Sequence, residues 1–320
     1  MRILATKISI LILPVLLVLG ALYCTLPRDP TSYFHVFNLK NNLLKITHSP
    51  KIVLVGDSNF AFGVDSCALS RALKMNVVNA SLHAGLGPLY LLNMVEERTR
   101  ANGDIIIISF EYSLYSSESD YGGDVTLCEL IFEEPAAAKY IGIENMPVLL
   151  SGLGRVCGTR LMRMFNGLPF TENPIYNSKA FNAYGDVVSH LRLQARTNLP
   201  PHISPATALP QNRRGFSPVV IRRLTRFIEH AESMGVHIYI VPAACRKKEY
   251  DAEKATIQEA YSHLKNIFPG KVLSDPEAFV FDNDCIFDTP FHLNNKGRDI
   301  RTEKLINIIR DAEIRMRQHE

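Results

Sequence analysis

A chain of 320 residues that is 47% hydrophobic and 21% charged suits a globular protein with a substantial core, built as one large domain or two small ones. Its formal net charge is +3, with basic residues spread along the chain rather than massed in one block, which argues against nucleic acid as the main ligand. The cysteines at 24, 67, 128, 157, 245 and 285 show no C-x-x-C pair and no metal-ligand spacing, so no structural zinc and no cofactor is expected. An oxidising compartment allows disulfides among the last five, but small buried hydrophobe is the commoner role for such residues.

In chain order, Arg2 and Lys7 precede an uncharged apolar stretch from Ile8 to about Leu26, close to the ~20 residues of a membrane-spanning helix. The stretch exceeds a signal-peptide core, and no small-x-small cleavage site follows it. An uncleaved anchor over residues 1–26 is therefore expected, its charged end cytoplasmic and the remainder outside the cytoplasm. Residues 27–50 read as a linker with a short amphipathic segment, and 51–320 as an α/β domain. Strands are predicted at Ile52–Val55, Asn76–Asn79, Asp104–Phe110 and Val236–Val241, with a weaker one at Lys271–Ser274. Helices are predicted near Ser66–Leu73, Pro88–Ala101, Ser217–Met234, Glu249–Ile267 and Asn295–Met316. That alternation implies a parallel sheet with helices on both faces. The rhythm breaks over about 112–215, which reads as a largely helical insertion at the carboxyl edge of the third strand. The helix Ser217–Met234 carries Arg222, Arg223 and Arg226, a pattern more often a solvated face than a membrane surface.

The chemistry-bearing stretch begins where Ile52-Val53-Leu54-Val55 stops in Gly56-Asp57-Ser58-Asn59. A buried parallel strand ending there delivers a serine hydroxyl to the edge where open α/β sheets place ligands. Far away stand Asp288 and His292, separated by Thr289-Pro290-Phe291. Serine is a weak nucleophile near neutral pH. A histidine can accept its proton, and a carboxylate can fix the imidazole tautomer.

These two blocks resemble the SGNH/GDSL hydrolase superfamily. The resemblance implies a flavodoxin-like three-layer sandwich, with Ser58 as nucleophile, His292 as general base and Asp288 as its orienting carboxylate. The Asp–His spacing is one residue longer than is usual in that family, with Asp284 and Asp282 as substitutes further upstream. By the same resemblance the oxyanion hole would use the Ser58 backbone and Gly85, or Gly87, in the loop after the second strand. Glycine suits a close backbone approach to a tetrahedral oxygen. His83, in the same loop, is placed to touch substrate or is incidental. Where the family carries a Gly-x-Asn-Asp block, this chain has Ser109-Phe110-Glu111-Tyr112, and an ionised glutamate cannot donate a hydrogen bond. Asp57, Asn59, Glu111 and Tyr112 are candidate substrate contacts.

The Glu111-Tyr112 phrase, Asn182-x-x-Gly-Asp186 and His292-Leu-Asn-x-x-Gly-Arg298 resemble a branch that accompanies membrane-bound O-acyltransferases in teichoic acid D-alanylation and alginate O-acetylation. That resemblance implies transfer or hydrolysis of a small acyl group on a cell-surface glycan or glycolipid, with a membrane O-acyltransferase as partner. A catalytically weak glycan-binding or scaffolding protein is the rival expectation, fed by the altered third block. A phosphate or nucleotide binder ranks last, for want of a phosphate-cradling glycine loop.

Overall fold

A computed structural model describes residues 2–98, 101–115, 121–194 and 216–319, with 2–12, 16, 317 and 319 described by their backbone alone. Six helices and three strands fill the first half: α1 (Arg2–Thr25), α2 (Val36–Ile46), β1 (Lys51–Gly56), α3 (Ser58–Gly63), α4 (Ser66–Leu73), β2 (Asn76–Asn79), α5 (Gly87–Glu96), β3 (Ile105–Ser109) and α6 (Asp124–Glu133). There follow α7 (Met146–Phe165), α8 (Pro218–Glu232), β4 (His237–Ile240), β5 (Cys245–Arg246), α9 (Lys247–Ile267), β6 (Val280–Phe281) and α10 (Asn295–His319).

The protein is α/β with a central parallel sheet of order β2-β1-β3-β4. Alternate side chains of each strand enter two different cores. Val53, Val55, Ile106, Ile108, Ile238 and Ile240 pack with α2, α5 and α8 on one face. Ile52, Leu54, Ile105, Ile107 and Tyr239 pack with α3, α4 and α10 on the other. Burial on both faces is why the strands read as unbroken apolar runs rather than as alternating ones.

Several expectations shift in extent. The weak strand at Lys271–Ser274 is reduced to a single parallel bridge, Val272 beside Ile240. The small β5–β6 sheet and α3 went unpredicted: two-residue strands carry no periodicity, and Gly-Asp-Ser-Asn reads as a turn. Residues 27–50 are more than a linker. Phe37, Lys40 and Leu44 of α2 are buried, because their spacing puts them on one helical face against the sheet. Between β3 and α8 the described residues carry α6, α7 and short 3-10 turns, and residues 195–215 of the expected insertion lie outside the described residues.

Among the described residues no helix is long and apolar enough to cross a membrane. Much of the anchor expected over 1–26 lies in side chains outside the described residues. The end of α1 packs onto the insertion: Leu19, Leu22, Tyr23 and Leu26 meet Cys128, Phe132, Val156 and Cys157, and the Tyr23 hydroxyl donates to the Ile131 carbonyl at 2.7 Å. All six cysteines are free thiols, and Cys128, Cys157, Cys245 and Cys285 are buried.

Candidate active site

Strand order reverses between β1 and β3, since β1 connects to β2 on one side and β3 leads to β4 on the other. Crevices at such switch points are where open parallel sheets bind ligands. Gly56 is paired with Ser109, so the loops leaving the two strands run side by side. A Cβ on Gly56 would strike the Ser109 carbonyl, which explains the glycine.

Asp57 caps α3: its Oδ1 accepts from the Asn59 N–H at 2.8 Å and the Asn59 amide at 2.6 Å, and its Oδ2 accepts from the Glu111 N–H at 2.7 Å. Ser58 is the first helical residue, so its own N–H has no partner inside the helix. Phe62 lies one turn later on the same face as Ser58, and its ring stacks on His292 at 4.1 Å between centroids and 3° between planes. The imidazole therefore lies over the helical face that Ser58 begins.

The longer Asp288–His292 spacing is taken up by a tight turn. Phe287 N–H donates to the His292 carbonyl at 2.8 Å, Thr289 accepts from the His292 N–H, and Ile286 bridges Leu293. This brings Asp288 Oδ1 to 2.8 Å from His292 Nδ1. Ser58, Asp288 and His292 are only 8%, 4% and 5% exposed, so water is largely excluded from all three. Asp282 and Asp284 face solvent, Asp284 paired with Lys296, and neither substitutes for Asp288.

Sequence reasoning missed Tyr176. It comes from the insertion and donates its hydroxyl to Asp288 Oδ2 at 2.5 Å, lying 3.3 Å from His292 Nδ1. Nothing in the aperiodic stretch around it marked the residue. His190, also from the insertion, packs against Phe62 at 4.8 Å between ring centroids and hydrogen-bonds the Leu293 carbonyl at 3.0 Å. The phrase Asn182-x-x-Gly-Asp186 fastens that insertion down. Buried Asp186 accepts from Ser66 Oγ at 2.5 Å, Asn79 at 2.9 Å and Asn182 at 3.0 Å, while Lys40 donates to the carbonyls of Asn79 and Gly185. Burial pushes the Lys40 ammonium down to about 7, and Asp186 opposes that shift.

Two oxyanion expectations need correction. The Gly85 N–H is already spent on His83 Nδ1 at 3.0 Å, and the Gly87 N–H on the Ala84 carbonyl. Gly85 is small because Thr126 crowds it. The consequence falls on His83: with Nδ1 accepting, its proton sits on Nε2, which becomes a donor. Crowding by the surrounding chain, then the charge of His292, hold that imidazole down at about 4, although part of the residue stays exposed.

The four candidate substrate contacts have other work. Asp57 and Asn59 are fully buried, Tyr112 sits in the core with its ring 5.9 Å from that of Tyr261, and Glu111 is also buried. Arg301 completes their network, donating to the Asn59 carbonyl at 2.8 Å, Asn59 Oδ1 at 2.7 Å and Ser109 Oγ at 3.1 Å. The sequence analysis passed over Arg301, although Arg301, Leu305, Ile309 and Ala312 follow the spacing of one buried helical face. Burial pushes Arg301 down to about 9, with Asp57 pulling it back up, so it stays charged near neutrality. One buried cation balances one buried anion. Asp57 is lifted by burial but held back by its N–H donors and by His292, whereas burial and the adjacent Asp57 raise Glu111 well above the ordinary carboxylate range. Of the two carboxyls, Glu111 is the one pushed harder toward its protonated form.

This has a pH signature. Between the ordinary carboxylate pKa and its raised value, Glu111 holds a proton in the fold that it loses on unfolding, so stability falls as pH rises. Glu111→Gln removes that cost. The variant is expected to be more stable than wild type near pH 7, with the gain shrinking toward zero by about pH 4. Urea-unfolding midpoints at the two pH values read the difference, and a gain independent of pH would mean that Glu111 is ionised in the fold.

No family model and no curated protein matches the chain. Function therefore rests on the site itself. Among the described residues no group of three or more His, Cys, Asp or Glu side chains is placed to hold a metal ion.

Proposed function

We propose that the chain is an SGNH-type acyl-transfer enzyme with a flavodoxin-like three-layer core, anchored by its N-terminal helix and working outside the cytoplasm on a cell-surface glycan or glycolipid. The observation that carries this reading is the Asp288–His292 pair, closed at 2.8 Å and stacked on the helix that begins at Ser58. Ser58 Oγ attacks an acyl carbonyl while His292 takes the hydroxyl proton and Asp288 stabilises the imidazolium. The tetrahedral intermediate expels its alcohol, protonated by His292, and leaves acyl-Ser58. A sugar hydroxyl or water, deprotonated by His292, then releases the acyl group. The Ser58 N–H and the His83 Nε2–H serve as oxyanion donors in place of the occupied amides of Gly85 and Gly87. A membrane O-acyltransferase would supply the acyl group.

The occupied amides of Gly85 and Gly87 favour a second reading, a catalytically weak scaffold that presents glycan to such a partner. Turnover of p-nitrophenyl acetate separates the two. The enzyme reading expects release that falls by about 10³-fold or more in Ser58→Ala. Equal release from folded wild type and variant supports the scaffold.

A further inference from the structure

We propose that the cavity between residues 29–34 and the insertion is an acceptor subsite for one neutral or amine-bearing sugar residue, shaped against acidic sugars. The proposal rests on the acyl-transfer reading above. The cavity has a volume of about 210 Å³ and is walled by Tyr33, Phe34, Glu129, Arg160, Asn173 and Tyr176. At ~30 Å³ per water this displaces about seven waters, room for a single ring rather than a chain.

The cavity shares its wall with the triad. Tyr176 lines it and also donates to Asp288, and Asn173 holds Tyr176 in place by accepting from its N–H at 3.0 Å. Phe34 lines it and lies 6.3 Å from the His83 ring. Tyr33 is 8% exposed, its ring 6.2 Å from that of Tyr176, and its buried hydroxyl has no hydrogen-bond partner. That hydroxyl lies in the field of Asp57, the residue before the nucleophile. A buried hydroxyl without a partner is costly, and a turn of the ring toward the cavity would let a ligand hydroxyl satisfy it. The aromatic walls suit the apolar face of a sugar ring.

The charges set the class of sugar. Arg160 is the cavity's cation, and its guanidinium is already bound by Glu133. Asp29 is held by Thr31, its Oδ1 accepting from both N–H and hydroxyl at 2.8 Å. Burial raises the Glu129 carboxyl, Arg160 pulls it back and Asp29 raises it further. Carboxylates outnumber the cation, so a uronate or phosphate meets repulsion and an amine meets attraction.

Saturation-transfer NMR on the full chain carrying Ser58→Ala reads binding without turnover. The probes are the methyl β-glycosides of glucose, of glucosamine with its free amine, and of glucuronic acid. Glucoside and glucosaminide are expected to bind, with the glucuronide at least about tenfold weaker; Tyr33→Phe and Glu129→Gln should each weaken the bound probes by about five- to tenfold. Glucuronide binding as tight as the others, or parental binding by both variants, overturns the subsite. p-Nitrophenyl acetate with wild type separates the two failures. Release that depends on Ser58, alongside failed sugar binding, leaves acyl transfer standing and removes the subsite. No Ser58-dependent release removes the acyl-transfer reading and the subsite with it.

Discussion

Asp288→Asn is expected to lower ester turnover by 10³- to 10⁴-fold, with most of the loss in kcat. Asp288 Oδ1 faces His292 Nδ1 at 2.8 Å and its Oδ2 accepts from Tyr176 at 2.5 Å, so both oxygens are engaged. An asparagine must turn one of them into an NH₂ group. If the NH₂ faces His292, it donates to Nδ1 and drives the ring proton to Nε2, where it cannot receive the Ser58 proton. If it faces Tyr176, the carbonyl still holds the tautomer but carries no charge to stabilise the imidazolium. Tyr176→Phe removes only one hydrogen bond and is expected to cost about tenfold, roughly what one bond to a charged group contributes. Steady-state kinetics on the two variants and wild type measure this ordering. Equal losses would show that Tyr176 is more than a positioning residue, and an Asp288→Asn variant near wild type would remove Asp288 from the mechanism.

Arg301→Met is expected to carry the largest stability cost, about 3–5 kcal/mol in urea unfolding at neutral pH. The guanidinium is fully buried, lies 4.6 Å over the Phe60 ring and donates to Asn59 through two of its nitrogens. Asn59 in turn donates its amide to Asp57, so its side chain holds the buried cation and the buried anion at a fixed separation. Removing the cation leaves Asp57 with only its N–H donors and His292 to offset its charge, and the start of α3, which carries Ser58, loses its register with β3. Lysine is no substitute, because a single ammonium cannot reproduce the two-pronged contact with Asn59 while also reaching Ser109. A cost below about 1 kcal/mol would mean that the network is held together by other contacts.

The sheet was legible because burial on both faces leaves unbroken apolar runs, as in Ile52–Val55 and Ile105–Ile108. The edges were less so. Beside β4, Val272 makes only one bridge, and a segment held by so few ladder bonds carries little strand signal. Residues 27–50 were under-read because a short helix with Asn and Lys among its apolar positions looks like a connector until the sheet that buries Lys40 is in view. Within the site, Ser58, Asp288 and His292 were singled out by chemical type, and the structure brings Asp288 and His292 together at 2.8 Å. Tyr176, His190 and the His83–Gly85 bond were not legible. Each depends on where an aperiodic segment comes to rest, which is set by tertiary contacts such as those of Asp186 rather than by local pattern. The reading of Glu111 also changed for a physical reason: burial next to Asp57 raises its carboxyl well above the ordinary range and turns it toward the core network rather than the substrate.

The central claim is that Ser58 is a nucleophile activated by His292. Treating the folded full-length chain with a fluorophosphonate and mapping the adduct by peptide mass spectrometry tests it most directly. The account predicts one adduct, on Ser58, absent in Ser58→Ala and much slower to form in His292→Ala. A folded wild-type chain that takes up no label, or takes it on another serine, contradicts it.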